Sequence, residues 1–286
     1  MDAPRLADLL DLDGPPAPGA DRFRGATQAI PVQRLFGGLL LGQSLVAAGR
    51  TVADGRPVHS LHALFLRPAD PQLPVDYAVE RIRDGGATSA RRVSAFQDGA
   101  EVSTALVSFQ RTRDGVRHAP APPPVPPPED LLPLHERAAA ARLPEWWSLP
   151  RPVELRHADD PPYPPPVPAR EGDRHRVWLR SAAKLPDEPL VHAAALAYAS
   201  DMTLLEPVFL RHGLDRHEPD LRLASLDHAM WFHRPLGADE WLLYDQDCPL
   251  AEGGRVLARG GVFDRAGEQV ATVAQEGLLR LPPGSG

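Results

Sequence analysis

The chain has 286 residues, room for one large domain or for two of about 130 residues each. A net charge of −7 with 43% apolar residues allows a real core and lacks the basic surplus of a nucleic-acid or anionic-membrane binder. The single cysteine, Cys248, excludes an internal disulfide and a cysteine-based metal site, and nothing suggests an oxidising compartment.

The first residues carry acids through a short apolar stretch, so they read as neither a signal nor a transit peptide. No run approaches the ~18 apolar residues of a membrane span, and the C-terminal residues are no peroxisomal address. The expected location is cytoplasmic. A short strand is expected at 21–27 and an apolar helix at 36–52. Strands follow at 59–66, 75–84, 89–97 and 101–110, set off by turn residues such as Asp84-Gly85-Gly86 and Asp98-Gly99. Alternation is plain where Tyr77, Val79 and Arg81 share one face and Ala78, Glu80 and Ile82 the other. Two proline-rich blocks come next, at 118–130 and 159–170. Such stretches stay extended and cannot enter a helix or a central strand. Between them a short helix is expected to pack Trp146 and Trp147. A short strand at 173–182 then precedes a second apolar helix at 190–210. Four more strands are expected at 226–233, 241–249, 255–264 and 269–280.

The two ends of the chain repeat each other. Phe65-Leu66-Arg67-Pro68 recurs as Phe232-His233-Arg234-Pro235, an offset of 167, which also carries Arg92 onto Arg259 and Phe96 onto Phe263. Five identities at one offset argue for an internal duplication. The expected division is 1–117, a connector over 118–169, and 170–286. A helix apolar nearly all round followed by four antiparallel strands, twice over, suits sheets wrapped around long helices. That is an α+β architecture.

The residues alone leave several chemistries open. Asp201 is either a base or an ordinary polar helix residue. Ser225 reads as a strand-edge hydroxyl and Gln275 as a plain strand residue. His59 and His62 stand three apart in an expected strand and so point to opposite faces, a poor geometry for metal binding. They and His228 and His233 read as structural, with His59 as the second candidate for a base. Arg67, Arg91 and Arg92 could grip phosphates or form structural ion pairs. No clustered His, Cys or carboxylate set is visible, so neither a metal nor a cofactor is expected. Without a Gly-x-Ser-x-Gly elbow, the α/β-hydrolase route is unsupported.

Several segments together carry a family resemblance: FGGLLLGQSLVAA (36–48), VHSLHALFLRPAD (58–70), VERIRDGGATSARRVSAFQDG (79–99), LAYASDMTLLEPV (196–208), LDHAMWFHRP (226–235), EWLLYDQD (240–247) and VATVAQEGLLR (270–280). In this order they resemble the TesB-type acyl-CoA thioesterases (acyl-CoA thioesterase II family). The resemblance implies a double hotdog, two repeats each with an antiparallel sheet around a long helix. It implies hydrolysis of acyl-CoA to free acid and CoA, no cofactor, and a homo-oligomer (dimer or tetramer) without nucleic-acid or membrane partners. It also implies a catalytic trio of Asp, a hydroxyl residue and Gln, which fall on Asp201, Ser225 and Gln275.

This chain departs from the family in two places. The family often has Thr where Ser225 stands, and its Gly-Gly-Gln turn reads Gly37-Gly38-Leu39 here. The chemistry suits the trio. A buried carboxylate has a raised pKa and is a better base, and Ser225 and Gln275 can each donate and accept hydrogen bonds. The backbone at Gly38 and Leu39, at a helix start, is expected to steady the oxyanion. One alternative is a hotdog hydratase or dehydratase, whose Asp is followed by Asn-Pro and then His. Here Met202-Thr203-Leu204 follow Asp201. The other is a non-catalytic acyl-CoA-binding protein, against which all three polar positions being kept argues.

Overall fold

In chain order the elements are α1 (Leu6–Leu10), β1 (Leu12–Asp13), β2 (Arg22–Gly25), α2 (Gly37–Gly49), β3 (Val58–Phe65), β4 (Val75–Asp84), β5 (Thr88–Gln97), β6 (Ala100–Gln110), α3 (Leu134–Ala140), β7 (Val153–His157), β8 (His175–Ser181), α4 (Pro189–Ser200), α5 (Glu206–His212), β9 (Arg222–Ser225), β10 (Asp227–Phe232), β11 (Leu242–Glu252), β12 (Arg255–Phe263) and β13 (Gln269–Arg280). They come from a computed structural model that describes residues 5–14, 21–27, 34–140 (139 and 140 by backbone only), 151–163, 168–169, 172, 174–216, 218 and 220–282. Trp146 and Trp147 lie outside the described residues. Among those described, no helix is long and apolar enough to cross a membrane.

The strands form one antiparallel sheet in the order β1-β2-β4-β5-β6-β3-β10-β13-β12-β11-β8-β7, with β9 paired to β13. The order reads as two mirrored halves that meet where β3 pairs with β10, with Leu61 opposite Met230. The offset of 167 lays the start of β4 on the start of β11 and that of β5 on that of β12. This is the expected α+β hotdog arrangement, with a helix in the concavity of each half.

The helices are apolar all round because both sides are covered. Residues 38–48 of α2 and 192–200 of α4 are all buried. A stripe on a surface helix would leave one polar face; burial on every side removes that need. The one amide in α2, Gln43, is satisfied by donating to the Leu9 and Ala26 carbonyls and accepting from the Tyr77 hydroxyl at 2.7 Å. The helices run antiparallel and touch through glycine. A Cβ at Gly38 would stand 2.3 Å from the Tyr198 carbonyl oxygen, and one at Gly42 would stand 3.0 Å from that of Ala194. This packing brings the first turn of α2 against the last turn of α4.

The structure corrects the expected helix at 190–210. It ends at Ser200, turns through 201–205 and restarts as α5. Pro207 sits in the first turn of α5, where a missing N–H costs nothing. In an unbroken helix its ring would strike the carbonyl four residues earlier. The connector is also more than a spacer. Its second half supplies β7, paired to β8. Its first proline block lies on the sheet, where Val125 and, just after the block, Leu131 cover Trp178, Trp241, Leu243 and Phe263. The Trp178 indole donates to the Pro126 carbonyl at 2.9 Å.

Candidate active site

Asp201 is the residue at which α4 ends. A carboxylate at the negative end of its own helix is poorly placed, and the neighbouring helix corrects this. Gly38, in the opening turn of α2, donates its backbone N–H to it. Gly37 is small by necessity: a Cβ there would stand 2.7 Å from Asp201 Oδ2 and 3.0 Å from the Phe65 ring.

Ser225 reaches the same place through a β-bulge. Ala229 pairs with Ala274 and Ser225 with Gly277, so the register slips by one residue between them. Leu226 N–H donates to the Glu276 carbonyl, while the Glu276 N–H donates to the Asp227 carboxylate at 2.7 Å. Both residues thus stand opposite Glu276, and the extra one turns Ser225 to the face that carries Gln275. Bulges beside functional sites re-aim side chains in this way.

The three side chains meet. Gln275 Nε2 donates to Asp201 Oδ1 at 2.8 Å and to Ser225 Oγ at 2.6 Å, and Ser225 Oγ donates to the same carboxylate oxygen at 3.3 Å. Gln275 is fully buried, Ser225 half-buried and Asp201 partly exposed. Desolvation pushes the Asp201 carboxyl up to about 6, against the pull of Gln275, Ser225 and the Gly38 backbone. The expected rise is therefore present.

Two residues behind the trio escaped sequence reading. His228 lies within 2.7 Å of Gln275 Oε1 through Nδ1, and its Nε2 is 2.9 Å from Ser200 Oγ. Burial pushes the His228 ring down to about 4, so it is neutral at pH 7. Because Gln275 must donate to the carboxylate, its oxygen must accept, which puts the His228 proton on Nδ1. His228, read from sequence as structural, in fact orients Gln275. Strand pairing was the signal that could have found it, since His228 stands across β13 from Gln275.

The oxyanion role expected of Gly38 and Leu39 does not fit. The Gly38 N–H bears on Asp201, and the Leu39 N–H is bonded to the Phe36 carbonyl at 3.1 Å with its side chain in the core. His59 and His62 are both exposed; His59 pairs with Ser108 and His62 meets the Trp231 ring edge-on. The arginines named from sequence are engaged elsewhere. Arg91 is buried against Thr51 and Asp84, Arg92 pairs with Glu80, and Arg67 donates to the Glu101 carbonyl.

The sequence reading found no His–carboxylate cluster, and the structure corrects that. His157, His175 and Glu206 are all buried, with ligand atoms within 4.8 Å of one another. The Glu206 carboxylate is already taken by His175 and Arg216, each at 2.9 Å. A guanidinium on the carboxylate repels a divalent cation, so the cluster suits an ion-pair network better than a metal.

Comparison with known proteins gives the family. The sequence pattern of the family described as acyl-CoA thioesterase matches residues 163–278, and that of the acyl-CoA thioesterase N-terminal domain matches 27–110. Acyl-coenzyme A thioesterase 8 of Mus musculus is 37% identical over 92% of this chain and 86% of its own length. Acyl-CoA thioesterase 2 of Haemophilus influenzae is 32% identical over 91% of this chain and 92% of its own. The crystal structure of an acyl-CoA thioesterase II, TesB2, from Mycobacterium marinum is 42% identical, with a TM-score of 0.79 over 98% of this chain and 99% of that one. A double-hotdog sheet, a desolvated carboxylate and these relatives converge: the chain belongs to the TesB-type acyl-CoA thioesterase family and is a thioester hydrolase acting on acyl-CoA.

Proposed function

We propose that Asp201 is the general base of this hydrolysis. Its Oδ2, turned toward Gly37, takes a proton from water as the water oxygen bonds to the thioester carbonyl carbon. The tetrahedral intermediate then expels the CoA thiolate, and the proton on Asp201 passes to the sulfur. Ser225 and Gln275 hold Oδ1, which fixes the carboxylate plane, and His228 holds Gln275. The observation that carries this reading is the mutual bonding of three side chains up to 74 residues apart in sequence.

Hydrolysis of a panel of acyl-CoAs tests it. Asp201→Asn keeps the shape and removes the base, so kcat should fall by roughly 10² or more. Ser225→Thr should be mild and Ser225→Ala worse. Near-normal turnover by Asp201→Asn on the best substrate would overturn the assignment. The same reading includes a cytoplasmic role in fatty-acid metabolism and a homo-oligomer, dimer or tetramer. Its units are repeats at 1–117 and 170–286 joined by 118–169.

A further inference from the structure

A second feature lies one strand edge away from the trio. Arg34, Arg222, Ala224, Leu278 and Arg280 line a cavity of about 300 Å³. Register places four of them: Ala224 pairs with Leu278 and Arg222 with Arg280, so their side chains share one face of the β9–β13 ribbon. Ser225 is the next residue on β9 and faces the other way. Among the described residues β9 pairs only with β13, so its outer edge is open. Arg34 stands three residues before Gly37, a span of about 10 Å at most. A ligand leaving the trio round the edge of β9 therefore arrives at this cavity.

Its charge is unusual for this chain. Like charges directly opposite on antiparallel strands repel, yet Arg222 and Arg280 are so paired and Arg34 adds a third guanidinium. Arg222 meets one exposed acid, Asp220, at 3.4 Å. Among the described residues, the side chains of Arg34 and Arg280 make no ion pair or hydrogen bond. Elsewhere on this net-acidic protein surface arginines sit on acids, as Arg24 does on Asp76, Arg81 on Asp21 and Arg259 on Asp247. Three guanidinium groups over an apolar floor suit a ligand with several phosphates and a flat ring. Arg67, Arg91 and Arg92 are committed to other partners and cannot serve it.

We propose that this cavity binds the phosphate-bearing adenosine end of the CoA thioester. The guanidinium groups take the phosphates, and Ala224 and Leu278 lie beneath the adenine. The assignment rests on acyl-CoA being hydrolysed at Asp201.

The test compares two substrates with one acyl group, the CoA thioester and the pantetheine thioester, which has no phosphates. Arg280→Ala and Arg222→Ala should each raise KM for the CoA thioester by about tenfold, the loss of one charged hydrogen bond, with kcat held. Kinetics on the pantetheine thioester should match wild type, and inhibition by adenosine 3′,5′-bisphosphate should weaken by the same factor. Removing one guanidinium relieves repulsion, so the thermal midpoint should not fall. An equal change on both substrates, or no change on the CoA thioester, overturns the proposal. If the wild-type protein hydrolyses neither substrate, the reaction assigned to the trio fails. Calorimetric titration with the bisphosphate still decides the cavity: binding lost in Arg280→Ala supports it, and binding equal to wild type overturns it.

Discussion

At Asp201 the protein holds a carboxylate where solvation is poor and three donors converge. With the carboxyl pushed up to about 6, the base is deprotonated at pH 7 yet binds a proton far better than an ordinary aspartate. The sign follows: kcat should rise through about pH 6 and stay level above it, and a pH profile of Asp201→Asn should lose that limb. The folded state favours the protonated form, so this group's contribution to stability is fully present below about pH 4 and is lost as pH rises through about 6. Behind it, His228→Leu removes the donor to Gln275 Oε1. We expect kcat to drop by about tenfold while KM holds. A KM change with kcat intact would mean that His228 acts on substrate binding instead. Asp201, Ser225 and Gln275 were legible in the sequence only as a family pattern. What puts Ser225 on the same face as Gln275 is the bulge at Leu226, and one unpaired residue has no sequence signature among the apolar residues of β9 and β10.

Two elements meet at the site because their termini complement each other. The first turn of α2 supplies positive charge where the last turn of α4 places a carboxylate. Both helices were visible as apolar runs, but their contact was not, because Gly38 and Gly42 do not announce which backbone they approach. The break after Ser200 was missed for a related reason: the apolar run continues through Leu204 and Leu205, and only Pro207 argues against one helix. The restart of the chain as α5 has its own anchor. Burial pushes the Glu206 carboxyl up, but hydrogen bonds from His157 and His175 overcome this and hold it well below the usual range. Its contribution is therefore present above the ordinary glutamate pKa and lost as pH falls toward its folded value. Glu206→Gln removes the buried carboxylate on which Arg216 and two buried imidazoles converge. It should cost about 3 kcal/mol in urea unfolding at pH 7. An unchanged midpoint would show that Arg216 is satisfied by other groups.

For the whole molecule, the mirrored strand order and the offset of 167 divide the chain into the same two halves, which meet at β3 and β10. The offset was readable because the starts of β4 and β5 keep their spacing in β11 and β12; the pairing of β3 with β10 was not, since a long-range join leaves no local trace. The joined sheet keeps exposed apolar side chains, with Leu64 at 52% and Leu106 at 52% relative exposure on neighbouring strands β3 and β6. A homo-oligomer would cover such surface. Light scattering at micromolar concentration should give at least twice the chain mass, and a monomer there would remove the oligomer from the account.

The bulge that turns Ser225 inward has a twin. Register also slips in the first half between Val58 and Ser60, and Val58 lies 167 residues before Ser225. At the matching places of that half, Arg50 ends α2 as Asp201 ends α4, Val58 stands for Ser225, and Val107, across from Leu61, stands for Gln275. A cation and two valines cannot activate water. The backbone of the first half thus repeats the bulge of the second, while the side chains at the matching places are Arg50, Val58 and Val107. What remains is a pair of unequal twins in one chain. In the proposed reading one carries the base, and the other supplies the helix end against which its sibling's carboxylate is held.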